Sequence, residues 1–282
     1  MNKPHFLVID FEFNSTHHRL YQEAKALGYV ADFFLYQQLV HQQTPVPKLP
    51  VTNNTIGILS RPFVANNVEQ QFHGTYEMII KEYQFAHLLN NGLNNNRFLA
   101  YEDKLFQAYA YQKIGVPYAK CVGMSNEEIL EYPAVAKKRI SSHGRSNFLL
   151  KNKRQLKFFL KSVDSSLYFF QEYFELKGDY RVLVFQNKVL AVIEREVHLR
   201  QNNRLAVKVI GEATLPKRIL KDCLKVSKFM HCEFSGVDVG IKTNGEHFII
   251  EHNGRPQITG AERVLKRNLA REAIEQLVAG VS

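Results

Sequence analysis

The chain has 282 residues, 45% of them hydrophobic, and carries 37 Lys and Arg against 27 Asp and Glu, a formal charge of +10. That length exceeds one small core and fits two or three compact subdomains, and no apolar run approaches the ~18 residues a membrane span needs. Cys121, Cys223 and Cys232 form no CxxC pair, which argues against a disulfide framework or zinc site and, with no signal-peptide core before the first strand, for a reducing cytoplasm.

In chain order, residues 6–13 are an apolar run read as a strand, 16–27 have helical spacing ending at Gly28, and 29–36 are apolar again. A loop with Pro45, Pro47 and Pro50 precedes a short strand at 56–59, and 67–89 read as a helix. This βαβ pattern predicts a small open α/β domain over 1–97, with the Asn-rich 90–96 as its linker. Residues 102–114 read as a helix stopped by Gly115-Val116-Pro117. Then come a strand at 133–140, a loop at 141–146, a strand at 148–150, a helix at 153–163 and a strand at 167–174. Strands at 180–185 and 188–194 flank Gln186-Asn187, and a helix follows at 216–229. Asn244-Gly245 between alternating apolar residues predicts a hairpin. Residues 262–278 close the chain as one helix.

The hairpin carries the sharpest chemical signal. Asp238 lies in its first strand, and Glu251 and Asn253 in its second. Antiparallel neighbours place Asp238 beside Glu251, and residues two apart on a strand share a face. Three oxygen donors without a cysteine suit Mg²⁺ or Mn²⁺, which take their remaining ligands from water and nucleotide phosphates. A hairpin with a polar solvent face has the same pattern.

Other pieces are weaker alone. Lys137 ends a strand that should be buried on both faces, and the small-residue loop with His143-Gly144-Arg145 after it could fold over phosphates. It is not a P-loop, because no GxxxxGK[ST] precedes a helix. Gln171-Glu172-Tyr173-Phe174 ends an aromatic strand whose backbone could face an adenine. Asp179-x-Arg181 and Glu194-Arg195 sit on paired strands, where two guanidinium groups could face one cleft and stabilise a transferred phosphoryl group. Ordinary strand ends and surface ion pairs would look alike.

In order, Asp103-Lys104-Leu105, Ile114 to Pro117, Pro133 to Lys137, Gln171-Glu172-Tyr173, Asp179-x-Arg181, Glu194-Arg195, Gly236-Val237-Asp238 and Glu251-x-Asn253-x-x-Pro256 resemble the ATP-grasp superfamily of carboxylate–amine ligases, nearest its RimK-type glutamate ligases. The resemblance spans about residues 97–279. It implies an α/β (α+β) ATP-grasp fold: an N-terminal α/β domain at 1–97, a lid subdomain at 98–172 and a metal-bearing subdomain at 173–282. It implies two Mg²⁺ (or Mn²⁺) ions on Asp238, Glu251 and Asn253, phosphate contacts from Lys104 and Lys137, an adenine contact at Gln171, Glu172, Tyr173 and Phe174, and a ribose contact at Asp179. Arg200 and Asn202 take the place of a further nucleotide-binding element, and Arg181 and Arg195 that of catalytic arginines. Ala206-Val207 stands where the family carries a Gly pair, and the connection from Glu172 to Asp179 is about two residues short; both departures bear on acceptor choice.

The implied reaction transfers the ATP γ-phosphoryl group to a carboxylate, and an amine then displaces phosphate from the acyl phosphate. A protein of charge +10, with Arg139, Arg145 and Arg255 near the expected cleft, favours an acidic acceptor: glutamate, an acidic peptide or a protein. Basic clusters at 151–161 and 217–228 lie on helical patterns, where solvated faces explain them, so nucleic acid is not an expected partner. The family commonly forms dimers or tetramers, which makes a homo-oligomer an expectation without a legible interface. Two readings compete: a non-catalytic ATP-binding protein, and a nuclease, because Asp10-Phe11-Glu12 resembles the first metal motif of DEDD-type exonucleases.

Overall fold

The computed structural model describes residues 3–10, 13, 15–35, 52, 54–59, 91–94, 103–123, 130–141, 147–199, 205–254 and 256–281. The expected helix at 67–89 and the proline loop lie outside these residues. The described residues form three sheets, and no helix among them is long and apolar enough to cross a membrane.

The first sheet runs β2 (Val30–Leu35), β1 (His5–Asp10), β3 (Thr55–Leu59), β4 (Asn91–Asn94), with every pairing parallel. Phe6, Leu7, Val8 and Ile9 are all fully buried, as a parallel strand covered on both faces requires. Helix α1 (Thr16–Ala26) starts at Ser15, whose side chain accepts from the His18 N–H (3.0 Å), and Gly28 follows it at φ +79°. The Asn-rich linker expected at 90–96 is corrected here: residues 91–94 pair with β3. Parallel pairing uses backbone groups, so a strand of low β-propensity forms where a neighbour offers an edge.

The second sheet runs β5 (Cys121–Val122), β8 (Tyr168–Glu172), β6 (Ala134–Lys138), β7 (Asn147–Leu150), all antiparallel. Helix α2 (Lys104–Ile114) precedes it, and helix α3 (Lys153–Ser162) buries Leu156 and Phe159 against Ala136, Leu150 and Phe170. Gly115 ends α2 in the left-handed region at φ +66°, the stop that the sequence indicated.

The third sheet runs β11 (Leu205–Glu212), β10 (Lys188–Leu199), β9 (Leu176–Phe185), β12 (Phe234–Lys242), β13 (His247–Asn253). The β9–β10 turn puts Gln186 and Asn187 at φ +44° and +60°, and Gly245 turns the second hairpin at +85°. Strand β11 was not expected. It is an edge strand with Val207 and Ile210 exposed, so no clean alternation marks it. The single helix expected at 262–278 is two, α5 (Thr259–Leu265) and α6 (Leu269–Val281). The break falls at Lys266, left-handed at φ +52°, with no Gly or Pro to announce it.

This third sheet has two different faces. Val182, Val184, Val192, Val237, Val239 and Ile249 pack with helix α4 (Lys217–Phe229) and with Ala110 and Tyr111 of α2. Leu183, Phe185, Ala191, Ile193 and Phe234 on the other face join Phe6, Val8 and Ile58 of the first sheet, Leu20 of α1 and Ile274 of α6. Farther along that second face the side chains turn polar.

Candidate active site

Register brings the polar residues together. Arg181 on β9 lies opposite Asp238 on β12, Asp238 lies opposite Glu251 on β13, and Gly236 lies opposite Asn253. Directly opposed residues share a face, so one arginine, two carboxylates and one amide line the same side. Arg181 donates from Nε to Asp238 Oδ1 (2.7 Å) and from Nη2 to Oδ2 (2.8 Å). Arg195, from β10, donates through Nη1 to Asp238 Oδ2 (2.7 Å) and through Nε to Asp179 Oδ1 (2.5 Å). A Cβ on Gly236 would stand 3.2 Å from Arg181 Cδ and 3.1 Å from Pro256; glycine leaves that arginine room to lie along the sheet.

Burial would push the Asp238 carboxyl up, but the Arg181 and Arg195 guanidinium groups outweigh it and hold the group below its ordinary value. Asp179 has the opposite outcome. Burial, with Asp238 adding to it, outweighs Arg195 and raises its pKa to about 6. Arg195 loses from burial and gains more from Asp238 and Asp179, so it stays charged.

Two lysines approach this cluster, Lys104 from α2 and Lys137 from β6. Lys104, the first residue of α2, donates to the Ser141 carbonyl oxygen (2.8 Å) and lies 4.0 Å from Glu251 Oε2. Asp103 caps the helix by accepting from the Leu105 N–H and also accepts from Arg139 Nε, both at 2.9 Å. Arg139, expected near an acidic substrate, is thus engaged with Asp103, while Arg145 and Arg255 lie outside the described residues. Lys137, at the end of β6, is only 5% exposed. Burial lowers its pKa, with Glu251 opposing and Lys104 adding to the shift. Among the described residues its ammonium has no ion-pair or hydrogen-bond partner. A buried ammonium without a partner is costly, and an anion beside it would offset that cost.

Gln171 extends its Nε2 toward the Ala119 carbonyl oxygen (3.4 Å) and Cys121 Sγ (3.5 Å). Burial raises the Cys121 thiol to about 11 against the pull of Lys137, so this end of β8 adjoins the Lys137 corner. The Glu172 N–H donates to the Lys120 carbonyl oxygen (2.9 Å). Tyr173 is half-buried, and Phe174 packs edge-on against Phe248 under the Lys242 ammonium. Arg200 and Asn202 lie outside the described residues.

Among the described residues no three His, Cys, Asp or Glu side chains cluster as a metal site; the set here is two carboxylates and an amide. Its chemistry fits a magnesium ion shared with phosphates, because such an ion draws one or two carboxylates from the protein. Glu251, with a side chain 25% exposed, is the open donor, and Asp238 keeps one acceptor site, on Oδ1, beyond the three its arginines use. The nuclease reading loses its basis: Asp10 is fully buried, accepts from Ser15 and lies 3.2 Å from His17. Sequence reasoning missed the Asp179–Arg195 bond, although D-x-R spacing already placed Asp179 on the face of Arg181.

A family model, the RimK-like ATP-grasp domain, matches residues 109–277. No curated protein matches the chain in sequence. Solved structures with the same architecture include the ATP-grasp ligase PsnB complexed with a minimal precursor (TM-score 0.75, 13% identity, 99% of each chain covered). The macrocyclase MdnC bound with precursor peptide MdnA from Microcystis aeruginosa MRC superposes at TM-score 0.69 with 14% identity, over 97% of this chain and 99% of that one. A D-alanine–D-alanine ligase from Bacillus anthracis follows at 0.63 and 13%, over 99% and 97%. At such identities the likeness establishes the ATP-grasp fold.

Proposed function

The chain belongs to the RimK-like ATP-grasp family, and from that premise we propose that it is an ATP-dependent, ADP-forming carboxylate–amine ligase acting on a peptide. The observation that carries the reading is the convergence of Asp238, Glu251 and Asn253 on one sheet face, with Lys104 and Lys137 presented to it. PsnB has been captured with its minimal precursor, Mg and ADP, which supports nucleotide, metal and peptide as the three things this site handles.

A carboxylate is a poor electrophile at neutral pH, so amide formation needs activation. A substrate carboxylate oxygen attacks the γ-phosphorus of ATP, ADP leaves, and an acyl phosphate results. The amine then attacks the acyl carbon, loses a proton, and the tetrahedral species expels phosphate. Lys137 and Lys104 bind the phosphates as point charges, and no protein nucleophile is required. Arg195, held by two carboxylates, keeps a fixed positive charge beside the acyl phosphate. Asp238, Glu251 and Asn253 would hold two Mg²⁺ or Mn²⁺ ions, which neutralise charge on the phosphates. In this reading residues 98–172 act as the lid, 173–282 carry the metal, and 1–97 form the cap. The +10 charge favours an acidic peptide, and the three free thiols suit a cytoplasmic setting.

The test is ADP release with Mg·ATP and pools of carboxylates and amines that include Glu-rich peptides. Stimulation by one pool, lost in Glu251→Ala, is the expected result. Tight Mg·ATP binding without turnover on any peptide or protein pool would replace the ligase with a binding protein.

A further inference from the structure

We infer that Gln107 is a positioning residue for the metal site, acting through the backbone of His252; the inference rests on the metal assignment made above. His252 sits between Glu251 and Asn253 on β13, the edge strand of its sheet. An edge strand presents N–H and C=O groups that no neighbouring strand satisfies. Gln107 supplies both missing partners. Its Nε2 donates to the His252 carbonyl oxygen (2.8 Å), and its Oε1 accepts from the His252 N–H (2.9 Å). The side-chain amide thereby imitates one residue of an adjacent strand.

Two features make this more than packing. Gln107 is 2% exposed, and the Tyr111 hydroxyl donates to its Oε1 (3.0 Å), fixing the amide in one orientation. Its place on α2 is three residues after Lys104, hence on the same helix face. One side chain therefore sets the distance between the helix that carries Lys104 and the strand that carries Glu251 and Asn253. The parallel bridge from Tyr118 to Ile249, with Ile249 N–H donating to the Pro117 carbonyl oxygen (2.8 Å), satisfies the edge earlier along β13. At the ligand end Gln107 bonds the edge through both backbone groups of His252.

The experiment is calorimetric titration of ADP at a series of Mg²⁺ concentrations, with thermal unfolding measured on each variant. Gln107→Met keeps the length and loses both hydrogen bonds; it is expected to raise the Mg²⁺ concentration for half-maximal ADP binding about tenfold, as removal of groups that orient metal ligands does. Tyr109→Gly weakens the same helix at a position 59% exposed and is expected to lower the unfolding midpoint with the Mg²⁺ curve unchanged. A wild-type Mg²⁺ curve for Gln107→Met, or an equal shift for Tyr109→Gly, overturns the inference. Should Gln107→Met not fold, Gln107→Glu keeps the acceptor and loses the donor, and an unshifted curve for it is equally fatal. Glu251→Ala separates the two failures. If it shifts the curve and the Gln107 variants do not, the positioning role alone falls; if it does not, the metal assignment falls with it.

Discussion

Arg195 reaches from β10 across β9 to bond Asp238 on β12 at 2.7 Å. On the way its Nε bonds Asp179, the β9 residue directly opposite it. A guanidinium shared between two buried carboxylates is thereby locked in place, and Asp238 receives a second arginine, Arg181, that Asp179 lacks.

Asp238 should therefore matter to the fold as well as to the metal. Asp238→Asn leaves the buried Arg195 and the partly buried Arg181 short of one negative charge, and is expected to cost about 3–5 kcal/mol, read from urea unfolding. A loss below about 1 kcal/mol would mean that solvent already screens the cluster.

Glu251 should behave in the opposite way. Among the described residues its carboxylate makes one ion pair, with Lys104 at 4.0 Å. Glu251→Ala is expected to change stability by no more than about 1 kcal/mol, while ATP-dependent ADP release falls by at least about 100-fold. Wild-type turnover in this variant would sink the metal assignment.

The raised pKa of Asp179, to about 6, gives a pH signature. Between its ordinary value near 4 and about 6, the native state holds a proton that the unfolded chain has released. Stability contributed by this group is therefore greatest below pH ~4, falls as pH rises through the window, and is level above it, with a change on the order of 2–3 kcal/mol. Asp179→Asn should remove that fall, and urea midpoints taken from pH 4 to 8 would reveal it. An unchanged profile excludes Asp179 as its source.

Lys137→Met should separate binding from folding. Replacing a buried cation with an apolar side chain of similar length is expected to leave stability equal or higher, because its desolvation cost disappears. ATP affinity should drop at least about tenfold, roughly 1.4 kcal/mol, by calorimetry. Unchanged affinity would remove Lys137 from the phosphate site.

The sequence by itself determined most of the elements and the pairing of Asp238 with Glu251. Periodicity placed the first helix to within a residue, and Asn244-Gly245 announced the hairpin that puts Asp238 opposite Glu251. Those signals are local, written in side chains that either repeat or turn the chain. Only the tertiary structure decided the partners: that Arg195 spans two strands, that Asp179 is spent on Arg195, and that Gln107 stands in for a missing strand beside His252. It also decided that 91–94 forms a strand and that Lys266 breaks the last helix. Each depends on backbone groups or charges brought together from far along the chain, and no spacing within a short window encodes which of them will meet.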